Sequence, residues 1–98
     1  MNQQNEQTAA ELEALKDCPE ALAGAKVVGA WIWIEFPAKP GELTRDFLKA
    51  RGYRWNRTRA CWQHPCGHHT RAARGYDPRQ KYGAVAAARF VTPRELEA

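Results

Sequence analysis

The sequence predicts a small α+β domain. Its centre is a three-stranded, mostly antiparallel sheet in strand–helix–hairpin order, with one helix packed on a face and an N-terminal helical arm. Three observations carry this expectation. Lys26 to Phe36 is rich in valine, isoleucine and tryptophan, which suit a pleated, half-buried surface. Pro40 to Arg51 has proline where a helix starts and is followed by Gly52, where a helix ends. Tyr53–Asn56 and Cys61–His64 read as two strands around a short turn at Arg57–Ala60.

Length and composition frame these elements. Ninety-eight residues make one domain with one modest core. A hydrophobic content of 44% excludes a disordered chain. The expected divisions are an acidic helical arm over residues 1–25, a strand–helix–hairpin core over 26–66, and a segment over 67–98 that completes the same domain. No apolar run approaches the ~20 residues of a membrane helix. The first residues lack the basic start and apolar centre of a signal peptide. Three irregularly spaced cysteines argue against a disulfide framework. A cytoplasmic location is the expectation.

In the arm, Thr8 to Lys16 forms a short helix with Leu12 and Leu15 on one side. Asp17-Cys18-Pro19-Glu20 stops it and restarts it, because proline suits the first turn of a helix and not its middle. One more turn over Glu20–Ala23 ends at Gly24. The apolar stripe is thin, so the arm is expected to pack loosely. Lys26–Phe36 follows as one strand, central in its sheet. Val28, Ile32, Ile34 and Phe36 share one parity, Trp31, Trp33 and Glu35 the other, and Gly29 marks a bulge. In the helix, Leu43, Phe47 and Ala50 form a stripe with Leu48 alongside. In the hairpin, Asn56 is expected opposite Cys61, Trp55 opposite Trp62 and Tyr53 opposite His64. Downstream, His68–Gly75 reads as a helical turn or loop and Tyr76-Asp77-Pro78 as a turn. Arg89-Phe90-Val91 is expected to pack back on the core, and Thr92 to Glu95 has capping-box spacing.

The charge is uneven. The net +4 combines −4 over residues 1–25 with +8 over the remainder, and ten of the fifteen basic residues are arginine. Arginine makes planar, bidentate contacts with phosphate and stacks on aromatic rings. All four tryptophans lie between Val27 and His64, and six basic residues are packed between Arg45 and Arg59. Single-stranded nucleic acid is held by aromatic platforms in a positive groove. Lys39, Arg51, Arg54, Arg57 and Arg59 are therefore the candidate phosphate contacts, and Trp55 and Trp62 the candidate stacking residues. Against this stands the need of a small domain for large side chains in its core, which claims most of the tryptophans.

Gly29-Ala30-Trp31-Ile32-Trp33-Ile34, Lys39-Pro40, Leu48-Lys49-Ala50-Arg51-Gly52-Tyr53-Arg54-Trp55, Trp62 and His64-Pro65 together resemble a small domain of uncharacterised phage and conjugative-element proteins, in some of which it follows a J domain. The similarity covers residues 29–65. The sequence departs from that pattern at Glu35-Phe36-Pro37-Ala38, and at Cys61 and Cys66. The layout is also similar, more loosely, to the HARP module of annealing helicases. That second resemblance implies binding to DNA forks and single strands. Neither implies a catalytic residue.

The residue types also raise two other chemistries. Cys61, His64, Cys66, His68 and His69 are zinc-type ligands crowded into nine residues. Structural zinc sites usually join two close pairs from separated stretches, so no metal or other cofactor is expected. Cys61 with His64 has the residue types of a thiol nucleophile and its base. No carboxylate is placed to orient them, the chain has no serine, and it carries no P-loop or dinucleotide fingerprint. The expectation is a non-catalytic nucleic-acid-binding accessory protein of a mobile element, with single-stranded or forked DNA as partner and no membrane. The alternative is a protein-interaction module, an adaptor or inhibitor of a host complex, using the same basic and aromatic face.

Overall fold

A computed structural model of the protein describes residues 6–67 and 78–91. It is a small α+β protein, and its described residues form four α-helices and two 3-10 turns beside a five-stranded antiparallel sheet. The chain opens with α1 (Glu6–Ala14), a 3-10 turn (Leu15–Asp17) and α2 (Pro19–Gly24). Pro19 lies in the first turn of α2, where its missing N–H has no partner to lose. Strands β1 (Ala25–Val28) and β2 (Trp31–Ile34) follow, then α3 (Glu42–Ala50) and a hairpin of β3 (Arg54–Asn56) and β4 (Cys61–His64). Helix α4 (Pro78–Tyr82), β5 (Val85–Ala86) and a 3-10 turn (Ala87–Arg89) close the described chain.

The sheet runs β3-β4-β2-β1-β5, two strands more than the sequence reading gives. The first extra strand comes from the apolar run that was expected to be one strand. Gly29 takes φ +63° and, with Ala30, makes a two-residue turn that folds β1 onto β2. A positive φ at the first central residue alone is the position where a type II′ hairpin turn takes glycine. Thr8 in α1 donates to the Ala30 carbonyl at 2.7 Å, so the buried turn is held from the helical layer. Val28 stands opposite Trp31 and Val27 opposite Ile32. Opposed residues share a face, so Val28 joins the tryptophans rather than the isoleucines. The second extra strand, β5, pairs with β1 through Lys26–Ala86 and Val27–Val85.

The two faces differ. On one, Val27, Ile32, Ile34 and Trp62 meet Leu12, Leu15, Leu22, Leu48 and Tyr53 in the main core. Leu12 and Leu15 are fully buried, so the N-terminal helices belong to the core instead of forming a loose arm. Phe90 and Val91 pack against the same cluster, as expected. The opposite face carries a smaller cluster of Val28, Trp33 and Cys61, with Trp31 against it.

Helix α3 starts two residues later than Pro40 and ends one before Arg51, with Gly52 at φ +94° just beyond. Its inward side is Phe47 and Leu48. Leu43 is 86% exposed and Ala50 is exposed, so the expected Leu43-Phe47-Ala50 stripe is not the packing face. In the second hairpin the expected register is found: Asn56 opposite Cys61 and Trp55 opposite Trp62. Tyr53 lies beyond the ladder, yet its ring meets His64 edge-on at 4.9 Å. The expectations for residues 1–5, 68–77 and 92–98, including the capping box and the turn at Tyr76-Asp77, lie outside the described residues.

Candidate functional site

Between the loop after β2, helix α3 and the second hairpin lies a groove of about 610 Å³. The loop supplies Phe36, Ala38, Lys39 and Pro40; the helix supplies Arg45 and Lys49; the hairpin supplies Trp55, Ala60 and Trp62. Each arrives for a local reason. Trp55 and Trp62 are cross-strand partners, so the ladder puts both on the helical face. Arg45 and Lys49 are four residues apart, one turn of α3, and so share a side of it. Ala60 holds φ +54°, which closes the four-residue turn and brings its methyl to the groove wall.

The rings are arranged as floor and platform. Trp62 is 6% exposed and Trp55 53% exposed, with centroids 5.9 Å apart and planes at 62°. Edge-to-face pairing steadies the exposed ring without covering it. Among the described residues three cations, Lys39, Arg45 and Lys49, line the groove and no carboxylate does. The Arg45 Nε is shut off from solvent and, among the described residues, has no hydrogen-bond partner, nor is this half-buried arginine in any ion pair there. A cleft with one sign of charge and apolar walls concentrates field and attracts anions.

The structure brings together three of the sequence candidates, Lys39, Trp55 and Trp62, and separates four others. Arg51 turns away from the groove to Glu11 of α1, with hydrogen bonds of 3.0 and 2.8 Å to the two carboxylate oxygens. That contact raises the already high pKa of the guanidinium further. Arg51 is thus a clamp between helices. Arg54 projects to the opposite face, across from Gln63. Arg57 is exposed on the turn. The Arg59 guanidinium lies 5.5 Å from the Trp33 ring on the opposite face, where Arg79 takes a similar position at 5.1 Å. Arg45 and Lys49 are additional to the sequence candidates. Their one-turn spacing was visible, but which side of the helix faced the hairpin was not.

The zinc-type residues have other tasks. The Cys66 N–H donates to His64 Nδ1 at 2.9 Å, which leaves Nε2 as the protonated nitrogen, donating to the Arg51 carbonyl at 2.8 Å. His64 therefore ties the C-terminal end of α3 to the turn after β4. Cys61 and Cys66 are fully buried, and burial pushes the Cys66 thiol up to about 11. Among the described residues no group of three or more His, Cys, Asp or Glu is placed to hold a metal. His68 and His69 lie outside those residues. Cys61 and His64 sit at opposite parity on β4, so the thiol and the imidazole face opposite sides of the sheet. No described helix is long and apolar enough to cross a membrane. No protein-family model matches the chain, and neither does any curated protein or solved structure.

Proposed function

We propose that the protein binds single-stranded nucleic acid, with a base stacked on Trp55 in the groove and phosphates held by Lys39, Arg45 and Lys49. The observation that carries this reading is a half-exposed tryptophan standing in a groove lined, among the described residues, by three cations and no acid. A base offers an aromatic face and a phosphate an anion, and the groove has the complement of each in one place. Stacking on such a ring is worth roughly 1–3 kcal/mol per base. A duplex keeps its bases inside the stack and presents only phosphate to this site, so the ring favours a single strand or a fork. The resemblance to phage, conjugative-element and annealing-helicase modules points the same way and makes an accessory role in a mobile element part of the proposal.

Charge reversal of Lys49, which is exposed on α3, tests the reading with little risk to the fold. Lys49→Glu is expected to weaken binding of a labelled deoxythymidine oligomer at least tenfold in fluorescence anisotropy. Unchanged affinity would remove the groove from the binding surface. One observation favours a second reading, a protein partner: Leu43 is 86% exposed near the start of α3, as an interface anchor would be. Under that reading generic oligonucleotides do not bind at low salt.

A further inference from the structure

We propose that the bound strand continues out of the groove, past Arg57 on the exposed turn at the edge of β3, and onto the opposite face of the sheet, so that Arg57 and Arg54 hold its next phosphates. The inference rests on the single-strand reading of the groove and assigns the path beyond it. Among the described residues, strand β3 is the outermost of the five and pairs with β4 alone, so no further described strand lies along its edge. Successive residues of a strand project to opposite faces. Trp55 thus stands in the groove while its neighbour Arg54, with a Cα about 3.8 Å away, stands on the far side. The turn after β3 spans the edge in the same way: Ala60 lines the groove, and Arg59 lies over Trp33 on the far face.

The edge and the far side suit an anion. Arg54 and Arg57 are exposed, and among the described residues neither is paired with an acid. Glu35, on that face, is already taken by Lys26 at 2.7 Å and Arg79 at 2.9 Å. Arg59 rests on an indole ring rather than on a carboxylate, so its charge still counts toward the surface. At β3 and its turn, residues of the groove and of the far face are neighbours in sequence. A chain of phosphates is the kind of ligand that can follow them, since its charges repeat along a flexible backbone.

The test is a length series of labelled deoxythymidine oligomers, from about two to twelve nucleotides, within the range that single-strand modules occupy. The full chain is compared with the Arg54→Ala/Arg57→Ala, Trp55→Ala and Arg89→Ala variants by anisotropy at two salt concentrations. The double arginine variant is expected to match the wild type on the dinucleotide, to lose about tenfold on the octamer, and to lower the octamer's salt slope by about 1.4, two single-strand phosphate contacts. Arg89→Ala removes a charge beside β5, at the other edge of the sheet, and leaves octamer binding unchanged. If the double variant binds the octamer as the wild type does while Trp55→Ala loses affinity, the path is wrong and the groove stands. An equal loss in Arg89→Ala also overturns the path, since charge alone would then explain it. If the wild type binds no oligomer, both proposals fall.

Discussion

Arg51→Ala separates a structural arginine from the binding arginines around it. Arg51 stands in the most basic part of the sequence, yet both of its bonds run to Glu11, whose side chain is 10% exposed against 37% for the arginine. Breaking a fully buried pair costs about 3–5 kcal/mol, whereas an exposed pair is worth about 0–1 kcal/mol. This pair lies between those limits: the carboxylate is nearly buried, and the guanidinium meets enough water to be partly screened. A cost of about 2 kcal/mol follows. At roughly 4–8 °C per kcal/mol in a domain of this size, the thermal midpoint should fall by about 8–16 °C. The main-chain carbonyl of residue 51 still accepts from His64, so the C-terminal end of α3 keeps that tie. Thermal unfolding followed by circular dichroism, with oligonucleotide binding measured well below the midpoint, gives both readouts. The expected result is lower stability and unchanged affinity. A variant as stable as the wild type that binds with a reduced salt slope would refute the clamp and return Arg51 to the phosphate contacts.

Three further predictions concern packing and burial. Gly24 follows from a close approach: a Cβ there would overlap the Glu35 carbonyl, and the Gly24 carbonyl accepts from the Glu35 N–H at 3.0 Å. Gly24→Ala should therefore destabilise by about 1–3 kcal/mol in urea titration, and a neutral effect would mean that the backbone gives way freely. The cysteines follow from burial, since Cys61 and Cys66 are fully buried and Cys18 is partly exposed. A thiol reagent at neutral pH should modify one cysteine per native chain and three after unfolding. Because the folded Cys66 thiol is raised to about 11 and Tyr53 is raised as well, chiefly by burial, both groups hold their protons more tightly folded than unfolded. The Cys66 contribution to stability is complete below about pH 9 and is lost as pH rises towards 11, while that of Tyr53 starts to be lost only above about pH 10; urea midpoints between about pH 8 and 11 should show the first loss.

The second hairpin was legible down to its register. Alternation around Arg57–Ala60 leaves one pairing that joins Trp55 to Trp62, and that pairing forms. Helix α3 was legible as an element but not in its orientation. Its apolar residues allow more than one inward face, and the packing of Phe47 and Leu48 against the sheet leaves Leu43 outside. The first hairpin was hidden because residues 25–34 are apolar on both faces, so periodicity alone cannot distinguish one long strand from two short ones. Gly29 was the available signal, and it fits a turn as well as a bulge. The N-terminal helices are more deeply buried than their sparse leucines imply because Thr8 and Glu11 are buried too, each satisfied by a partner distant in sequence. Such long-range pairing also explains the candidate site. Trp55, Trp62 and Lys39 could be chosen by residue type, while the removal of Arg51 and the arrival of Arg45 and Lys49 depend on which surfaces the fold turns toward one another.

The most direct test of the central claim is a titration of the wild-type protein with labelled single-stranded DNA at about 50 and 200 mM salt, following anisotropy and tryptophan emission together. Three groove cations contacting phosphate give a salt slope of at least about 2, or roughly a twentyfold loss of affinity between the two conditions. Emission should be quenched as bases stack, and that quenching should disappear in Trp55→Ala. Tight, salt-sensitive binding with both signals supports the groove as a single-strand site. Absence of binding at the lower salt, or binding that leaves the emission of Trp55 unchanged, contradicts it.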